Sequence, residues 1–139
     1  ESPWPMRVAF ADTSFYQALL NTRDNWHQSA VNFANVFQGH VLTSEYVLCE
    51  LGALMSHKRL RQLFLNLVKE LKTAPYVEII PASHAYFEAG LDLFSRRSDK
   101  DWSLTDCISF VLMQERDVTE ALTCDNHFEQ AGFQRLLSP

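Results

Sequence analysis

The spacing of hydrophobic positions along this chain changes several times between the alternation typical of strands and the three-and-four spacing typical of helices. Short apolar runs predict strands over residues 7–11, 41–43, 77–80, 121–124 and 133–137. Helical spacing predicts helices over residues 25–38, 45–72, 83–94 and 103–115. The pattern leaves open whether 45–72 is one helix or two. Strands that alternate with helices predict an α/β fold, with a mostly parallel central sheet of four to five strands flanked by helices.

The composition is typical of one globular domain. Of the 139 residues, 47% are hydrophobic and 21% are charged, and we expect residues 6–139 to form a single domain. The opening letters ESPWP resemble a remnant of cloning, so residues 1–5 are expected to lie outside the fold. No apolar run approaches the ~20 residues that span a bilayer, so no membrane partner is expected. The three isolated cysteines predict reduced, buried thiols and a cytoplasmic location.

Several kinds of chemistry find no support in the sequence. Neither C-x-x-C nor H-E-x-x-H spacing is present, so no zinc knuckle and no zinc hydrolase motif is predicted. The four glycines form no phosphate-binding loop. A net charge of −5 also argues against a simple basic face for nucleic acid, unless bound cations reverse the charge at the site.

Four acidic residues occupy positions that an α/β fold brings to one edge of its sheet. Asp12 and Asp125 directly follow the first and fourth predicted strands, Glu50 lies in the helix after the second strand, and Asp106 lies in the first turn of helix 103–115. Ligands of such sheets bind outside the carboxyl ends of the strands, so the four carboxylates are expected to converge there. Two carboxylates about 4 Å apart repel by about 1 kcal/mol in water and about 4 kcal/mol near a protein surface. The cluster therefore needs protons or cations, and oxygen ligands favour Mg²⁺ or Mn²⁺.

Each acid also has an ordinary structural interpretation. Asp12 is a suitable helix cap, and the segment from Ser103 to Asp106 has the form of a capping box. Asp125 suits a turn, and Glu50 suits a solvated helix surface. These interpretations are reasonable one at a time, but they leave the common placement of the four acids unexplained.

Four segments read together resemble the PIN-domain family, and specifically its bacterial VapC-type toxin branch. They are FADTSFYQALL at 10–20, LTSEYVLCELGALMS at 42–56, DWSLTDCISFVLMQERDVTEALTCDNHF at 101–128 and AGFQRLL at 131–137. Their order and spacing match the family over essentially the whole chain from Met6 onward. The Asp-Thr-Ser start is weak alone, whereas S-L-T-D-C-x-S-F followed by A-L-T-x-D-x-H-F and A-G-F is strong in combination. The resemblance implies a PIN-like fold and a metal-dependent ribonuclease that is the toxin of a toxin–antitoxin pair.

The resemblance also implies roles for individual residues. The family's catalytic and metal-binding acids fall on Asp12, Glu50, Asp106 and Asp125. Supporting polar roles fall on Thr13, or on Ser103 and Thr105, with Asp101 as an outer acid. One or two Mg²⁺ ions, or Mn²⁺ in their place, would activate water for attack on an RNA phosphodiester.

The expected partners are RNA, a small antitoxin and a second copy of the chain. Basic residues that are candidates for steering RNA, with plain solvated surface as the alternative, are Lys58, Arg59, Arg61, Arg96 and Arg97. Trp26, Phe33 and Phe37 form one stripe of helix 25–38, which serves either the core or a partner interface. Two other functions stay open: a processing or DNA-acting nuclease outside a toxin pair, and a non-catalytic module that binds a cation.

Overall fold

A computed structural model describes residues 6–138; residues 1–5, expected to be a cloning remnant, and residue 139 lie outside the described part. The strands are β1 (Val8–Ala11), β2 (His40–Ser44), β3 (Val77–Ile80), β4 (Glu120–Leu122) and β5 (Gln134–Arg135). The helices are α1 (Thr13–Leu20), α2 (His27–Val36), α3 (Glu45–Leu54), α4 (Lys58–Thr73), α5 (His84–Arg96), α6 (Leu104–Glu115) and α7 (His127–Gln130). All four strand pairings are parallel, in the order β3-β2-β1-β4-β5. The predicted α/β fold with a parallel sheet of four to five strands is confirmed.

The chain reverses its direction of travel across the sheet beside β1. From β1 it moves outward through β2 to β3, and α5 and α6 then bring it back to β4 on the other side of β1. Phe10 of β1 therefore lies opposite Leu42 on one side and Ala121 on the other. Open parallel sheets bind ligands at such a switch point, outside the carboxyl ends of the strands. Asp12 and Asp125 follow the two strands that meet there.

One element differs from the pattern-based prediction, and one open question is answered. The pattern predicts no helix after the first strand, yet the eight-residue helix α1 begins at Thr13. An isolated helix of this length is marginal, and α1 is stabilised by burying Phe15, Tyr16 and Ala18 in the core. The open question over residues 45–72 is answered by two helices, α3 and α4. The imidazole Nδ1 of His57 accepts a hydrogen bond from the amide of Arg59 at 3.3 Å and so caps α4.

Three buried phenylalanines join the sheet to the helices beneath its carboxyl edge. Phe10 of β1, Phe110 of α6 and Phe128 of α7 are among the largest fully buried side chains. The ring centroid of Phe128 lies 6.3 Å from that of Phe10 and 4.9 Å from that of Phe110. Burial of each such side chain contributes roughly 1.5–3 kcal/mol. The cluster fixes the two helices whose first turns lie beside Asp106 and Asp125.

Helix α5 lies against α6 through Gly90. A β-carbon at position 90 would overlap the side chain of Ile108, so only glycine permits this approach. The other side of α5 is directed outward and carries three apolar side chains, Phe87, Leu91 and Phe94, which are 40%, 39% and 46% exposed. We refer to these three residues as the α5 stripe.

The aromatic stripe of α2 packs inward. Trp26, Phe33 and Phe37 are partly buried against the core, and guanidinium groups cover two of the rings, Arg7 over Phe37 and Arg135 over Trp26, each at 5.2 Å. These contacts support the core interpretation of that stripe.

The cysteines only partly match the expectation of buried thiols. All three are free, but only Cys107 is buried, Cys124 is half-buried, and Cys49 is exposed on the outer side of α3, so the expectation is wrong for Cys49. Among the described helices, none is long and apolar enough to cross a membrane.

Candidate metal-binding active site

Asp12 is buried where the ends of β1 and β4 meet. Its amide donates a hydrogen bond to the carbonyl of Leu122 at 3.0 Å. Its Oδ2 accepts hydrogen bonds from Ser14 Oγ and Thr123 Oγ1, both at 3.1 Å. Asp12 occupies the N-cap position of α1, but its side chain makes no capping hydrogen bond. The carboxylate is therefore fixed by the two hydroxyls rather than by a capping role.

Asp106 is both a helix cap and a member of the site. Its Oδ2 accepts a hydrogen bond from the amide of Ser103 at 3.0 Å, while Ser103 Oγ accepts one from the amide of Asp106 at 3.0 Å. This reciprocal capping box was the ordinary interpretation of the segment, and it is present. The same Oδ2 lies 3.0 Å from Nδ1 of His127. The cap thus holds the carboxylate in the position where it faces the neighbouring acid.

Asp125 and His127 form a tight turn at the start of α7. The carboxylate Oδ1 of Asp125 accepts a hydrogen bond from the amide of His127 at 2.8 Å. This turn brings the imidazole back beside the carboxylate, with Nδ1 3.1 Å from Oδ2 of Asp125. One ligand atom from each of Asp106, Asp125 and His127 lies within 4.8 Å of the other two, close enough to hold one metal ion.

Negative charge is costly in this cluster. Burial, and then the nearby charge of Asp106, raise the pKa of Asp12 to about 7. Burial also raises the pKa of Asp106, and Asp125 adds to the rise, while the hydrogen bond from the Ser103 amide opposes it. Carboxylates that resist ionisation for these reasons are stabilised in their charged form by a nearby cation.

The residues present fit a divalent cation. The donor set consists of carboxylate oxygens and one imidazole nitrogen, which are ordinary ligands of divalent ions. Two buried hydroxyls nearby in the chain, Thr13 Oγ1 and Ser109 Oγ, have no hydrogen-bond partner within residues 6–138. Thr13 follows Asp12 directly, and Ser109 lies one turn after Asp106 on α6. A buried hydroxyl without a partner costs about 1–3 kcal/mol, which a hydrated ion beside it would offset.

Comparison with known proteins identifies the family. The profile of the PIN domain matches residues 9–134. The chain belongs to the PIN-domain family. The 23S rRNA-specific endonuclease VapC20 of Mycobacterium tuberculosis is 30% identical over 127 residues, which cover 91% of this chain and 95% of VapC20. The resemblance to the PIN-domain family and its VapC branch is confirmed.

Solved structures show the same PIN fold. The crystal structure of Mycobacterium tuberculosis VapC20, a sarcin–ricin loop cleaving toxin, superimposes with a TM-score of 0.85 at 24% identity, covering 94% of this chain and 99% of that one. FitAcB from Neisseria gonorrhoeae superimposes with a TM-score of 0.65 at 15% identity, covering 92% and 95% of the two chains.

Three of the four acids that the PIN resemblance selects form one network, and Glu50 lies outside it. Thr123 links Asp12 to Asp125, because its hydroxyl donates to Asp12 and accepts from the amide of Asp125 at 3.0 Å. His127 links Asp125 to Asp106. Glu50 is half-buried on α3, and no hydrogen bond or ion pair within the described residues joins it to the network. Its role as a ligand stays a prediction.

The supporting residues are placed in different ways. Ser103 caps α6 and holds Asp106, and Thr13 is buried beside Asp12. Thr105 is half-buried and Asp101 is exposed, and neither side chain is hydrogen-bonded to the cluster in the part of the chain described here. Their supporting roles stay predictions as well.

Sequence reasoning missed three residues of this PIN-domain site. Ser14 and Thr123 provide the hydroxyls around Asp12, and His127 provides the imidazole between the other acids. The signal for His127 was its position two residues after an acid that ends a strand, since aspartate in a turn commonly binds the backbone amide two residues on. No comparable signal marked Thr123.

Proposed function

We propose that this PIN-domain protein is a divalent-metal-dependent endoribonuclease and the toxin of a toxin–antitoxin pair. The observation that carries the proposal is the meeting of Asp12, Asp106 and Asp125 at the switch point of the sheet. The similarity to the endonuclease VapC20 over 91% of the chain supports the same conclusion. A likeness of fold alone does not distinguish a nuclease from a module that only binds a cation, so the proposal also depends on the similarity to an endonuclease and on the cleavage test below.

The chain's own residues hold the carboxylates in place in advance. Ser14 and Thr123 orient Asp12, and the capping box orients Asp106. We assign Glu50 as the fourth ligand, because α3 begins directly after β2 at the same edge of the sheet. When bound, Mg²⁺, or Mn²⁺ in its place, lowers the pKa of water and stabilises charge on the reacting phosphate. Ligands that are fixed beforehand need little reorganisation during the reaction.

RNA has to approach a protein whose net charge is −5. Arg96 and Arg97 are engaged in ion pairs with Asp92 and Asp99, both at 2.9 Å. Lys58 and Arg59, in the first turn of α4, form no ion pair within residues 6–138, and we assign the steering of RNA to them. Because VapC20 is an endonuclease specific for 23S rRNA, ribosomal RNA is the first substrate to test.

An apolar cavity offers a place for the antitoxin. It has a volume of about 410 Å³ and lies among α1, α2 and α4, with Phe15, Leu19, Leu67 and Leu71 in its wall. We assign this cavity to an apolar antitoxin segment, because such segments bind grooves between helices. An antitoxin arginine placed among the carboxylates would then block the site, since its planar fork matches carboxylates. Inhibition should weaken as the concentration of Mg²⁺ rises, and it should weaken when that arginine is replaced with alanine.

The α5 stripe offers a surface for a second copy of the chain. Its three apolar side chains are spaced over two turns of one helix, so two antiparallel copies of α5 would set apolar against apolar across a twofold axis. We therefore assign the stripe to a homodimer. Free cysteines are common in a reducing compartment, and together with an RNA substrate they support a cytoplasmic location.

The test is cleavage of ribosomal RNA by the purified protein, with single-stranded DNA as a second substrate. Wild type is compared with Asp12→Asn, Glu50→Gln, Asp106→Asn and Asp125→Asn, and with Glu88→Gln on the exposed face of α5 as the matched control. We expect cleavage of RNA in Mg²⁺, none in chelator, and a loss of at least ~100-fold in the four site variants. Activity that survives in all four variants would refute the site, and preferential cleavage of DNA would refute the substrate.

A further inference from the structure

The imidazole of His127 lies inside the acidic cluster, and the proposed function assigns it no role. Its Nδ1 is 3.0 Å from Oδ2 of Asp106 and 3.1 Å from Oδ2 of Asp125. Resting on the metal site proposed above, we propose that Nδ1 of His127 is itself a ligand of the bound cation, and that it makes this site prefer late first-row divalent ions such as Co²⁺ over Mg²⁺.

The geometry of the three ligand atoms suits one ion. A divalent cation with bonds of about 2.1 Å holds adjacent ligand atoms about 3 Å apart. Two of the three separations, at 3.0 and 3.1 Å, match this spacing, and all three atoms lie within 4.8 Å of one another. Small side-chain rotations would therefore be enough to let all three bind the same ion.

The fold holds the imidazole in this position from both sides. On one side, the amide of His127 donates to Oδ1 of Asp125 at 2.8 Å. On the other, the next residue, Phe128, is fully buried against Phe10 and Phe110. The side chain of His127 is 26% exposed, so the ring is partly open to solvent while its Nδ1 faces the carboxylates. A ligand held by the backbone in this way needs little ordering when an ion binds.

The nitrogen ligand changes which ions the site prefers. Carboxylate oxygens alone suit Mg²⁺ and Mn²⁺, whereas imidazole suits iron, cobalt, nickel and zinc. The affinity of such mixed sites for divalent ions rises along the first row from Mn²⁺ towards Cu²⁺. Mg²⁺ gains little from a nitrogen ligand, so His127 should strengthen the binding of Co²⁺ much more than that of Mg²⁺.

The simpler role for His127 is a hydrogen bond alone. In that case Nδ1 carries a proton, donates it to the two acids and never contacts an ion. The two roles differ in their effect on ion selectivity, because a shared hydrogen-bond donor would orient the carboxylates equally for every cation. Only direct ligation predicts that replacing His127 weakens the binding of Co²⁺ much more than the binding of Mg²⁺.

The experiment measures the binding of MgCl₂ and of CoCl₂, each alone, by isothermal titration calorimetry. Wild type is compared with His127→Leu and His127→Asn, and with His84→Leu and His84→Asn on the exposed start of α5 as matched controls. The asparagine amide can still donate a hydrogen bond, and it offers oxygen in place of nitrogen. It also serves as the second variant if His127→Leu fails to fold, which circular dichroism reports.

We expect wild type to bind Co²⁺ at least ~10-fold more tightly than Mg²⁺. Both His127 variants should weaken Co²⁺ binding by about 10- to 100-fold and Mg²⁺ binding by less than about 3-fold, while the His84 variants change neither. In protein labelled with ¹⁵N-histidine, Co²⁺ should strongly shift the resonance of one ring, and that resonance should be absent from His127→Asn.

Three results would overturn the inference. Equal loss of both ions in the His127 variants would show that the ring only orients the acids, and unchanged binding of both would show that it has no part in the site. Failure of wild type to bind either ion would overturn the inference and the proposed metal site together. If wild type cleaves RNA in Mg²⁺ and the selectivity result is negative, only the role of His127 fails.

Discussion

At the scale of single residues, the burial of Asp12 makes the stability of the folded protein depend on pH. Its pKa is raised from about 3.8 to about 7, chiefly by burial. The folded protein therefore binds a proton that the unfolded chain has lost, between those two values. Without metal, the stability from this group is fully present below about pH 4 and is lost as the pH rises through about 7.

Asp12→Asn should remove this pH dependence. Three pKa units at ~1.36 kcal/mol each set an upper limit of about 4 kcal/mol on the gain in the free energy of unfolding. Because Asp106 shares the repulsion, we expect the variant to gain about 1–3 kcal/mol at pH 8. The free energy of unfolding is measured in urea with chelator at pH 5 and pH 8. The gain of the variant over wild type should be largest at pH 8, smaller at pH 5, and absent only below about pH 4. Parallel pH curves would mean that Asp12 ionises as easily as an exposed acid.

Thr123→Val tests the hydroxyl that stabilises the charged form of Asp12. Its hydrogen bond at 3.1 Å lowers the pKa of that carboxyl, so its removal should raise the pKa further. At limiting Mg²⁺, the rise of cleavage rate with pH should then move upward by about 0.5–1 unit, which corresponds to about 1 kcal/mol. The control is Thr73→Val, where the hydroxyl bonds the carbonyl of Lys69 on exposed α4. An unmoved pH profile would show that Asp12 is not the group whose ionisation limits cleavage.

The meeting of Asp12, Asp106 and Asp125 was predictable, whereas the side chains that hold them together were not. Asp12 and Asp125 follow strands, and the switch-point rule places such residues at the site of an open sheet. Ser103 was visible as a cap because its partner lies three residues away. Thr123 contacts Asp12 from 111 residues away, and no local pattern reports such a contact, whereas Ser14 lies only two residues after Asp12.

At the scale of elements, α5 packs closely against α6 at Gly90. Gly90→Ala should destabilise the protein by about 1–3 kcal/mol, because the new methyl group overlaps Ile108. Ile108→Ala alone should cost about 2–5 kcal/mol through the cavity it leaves. The double variant should be more stable than the sum of the two costs predicts, since one change makes room for the other. Strict additivity in urea denaturation would show that α5 shifts away from α6 instead.

The predicted elements were most reliable where local signals coincided with packing. For α6, the apolar stripe and the cap indicate the same start, and the predicted ends of the helix are therefore within one residue of the observed ones. Helix α1 lacks this signal. Its buried residues include the adjacent Phe15 and Tyr16, which do not show the three-and-four spacing that predicts a helix. The break before α4 depends on the His57 cap, and histidine is not among the residues that usually mark a helix start.

At the scale of the whole molecule, the α5 stripe predicts the oligomeric state. We expect Phe87→Glu to convert a dimer to a monomer, because a charge would be buried at the proposed interface. The control is Val36→Glu on α2, an apolar side chain that is 70% exposed and lies outside the stripe. Light scattering coupled to gel filtration measures the mass of each. A wild-type protein that is monomeric at high concentration would refute the dimer. If Val36→Glu dissociates the dimer and Phe87→Glu does not, the interface lies elsewhere.

The order in which the strands enter the sheet has a consequence for the cell that makes this protein. Asp12 and Thr123 are 111 residues apart in the chain, and they meet only after β4 has paired with β1. A nascent chain on the ribosome can pair β1 with β2, and β2 with β3, before β4 emerges, and it then carries Asp12 and Glu50 without Asp125 or His127. A nuclease whose strands pair in this order has no assembled site while β4 and α7 are still inside the exit tunnel. Under the proposed function, the messenger being translated would therefore meet no complete site until the strand that completes this edge of the sheet has emerged.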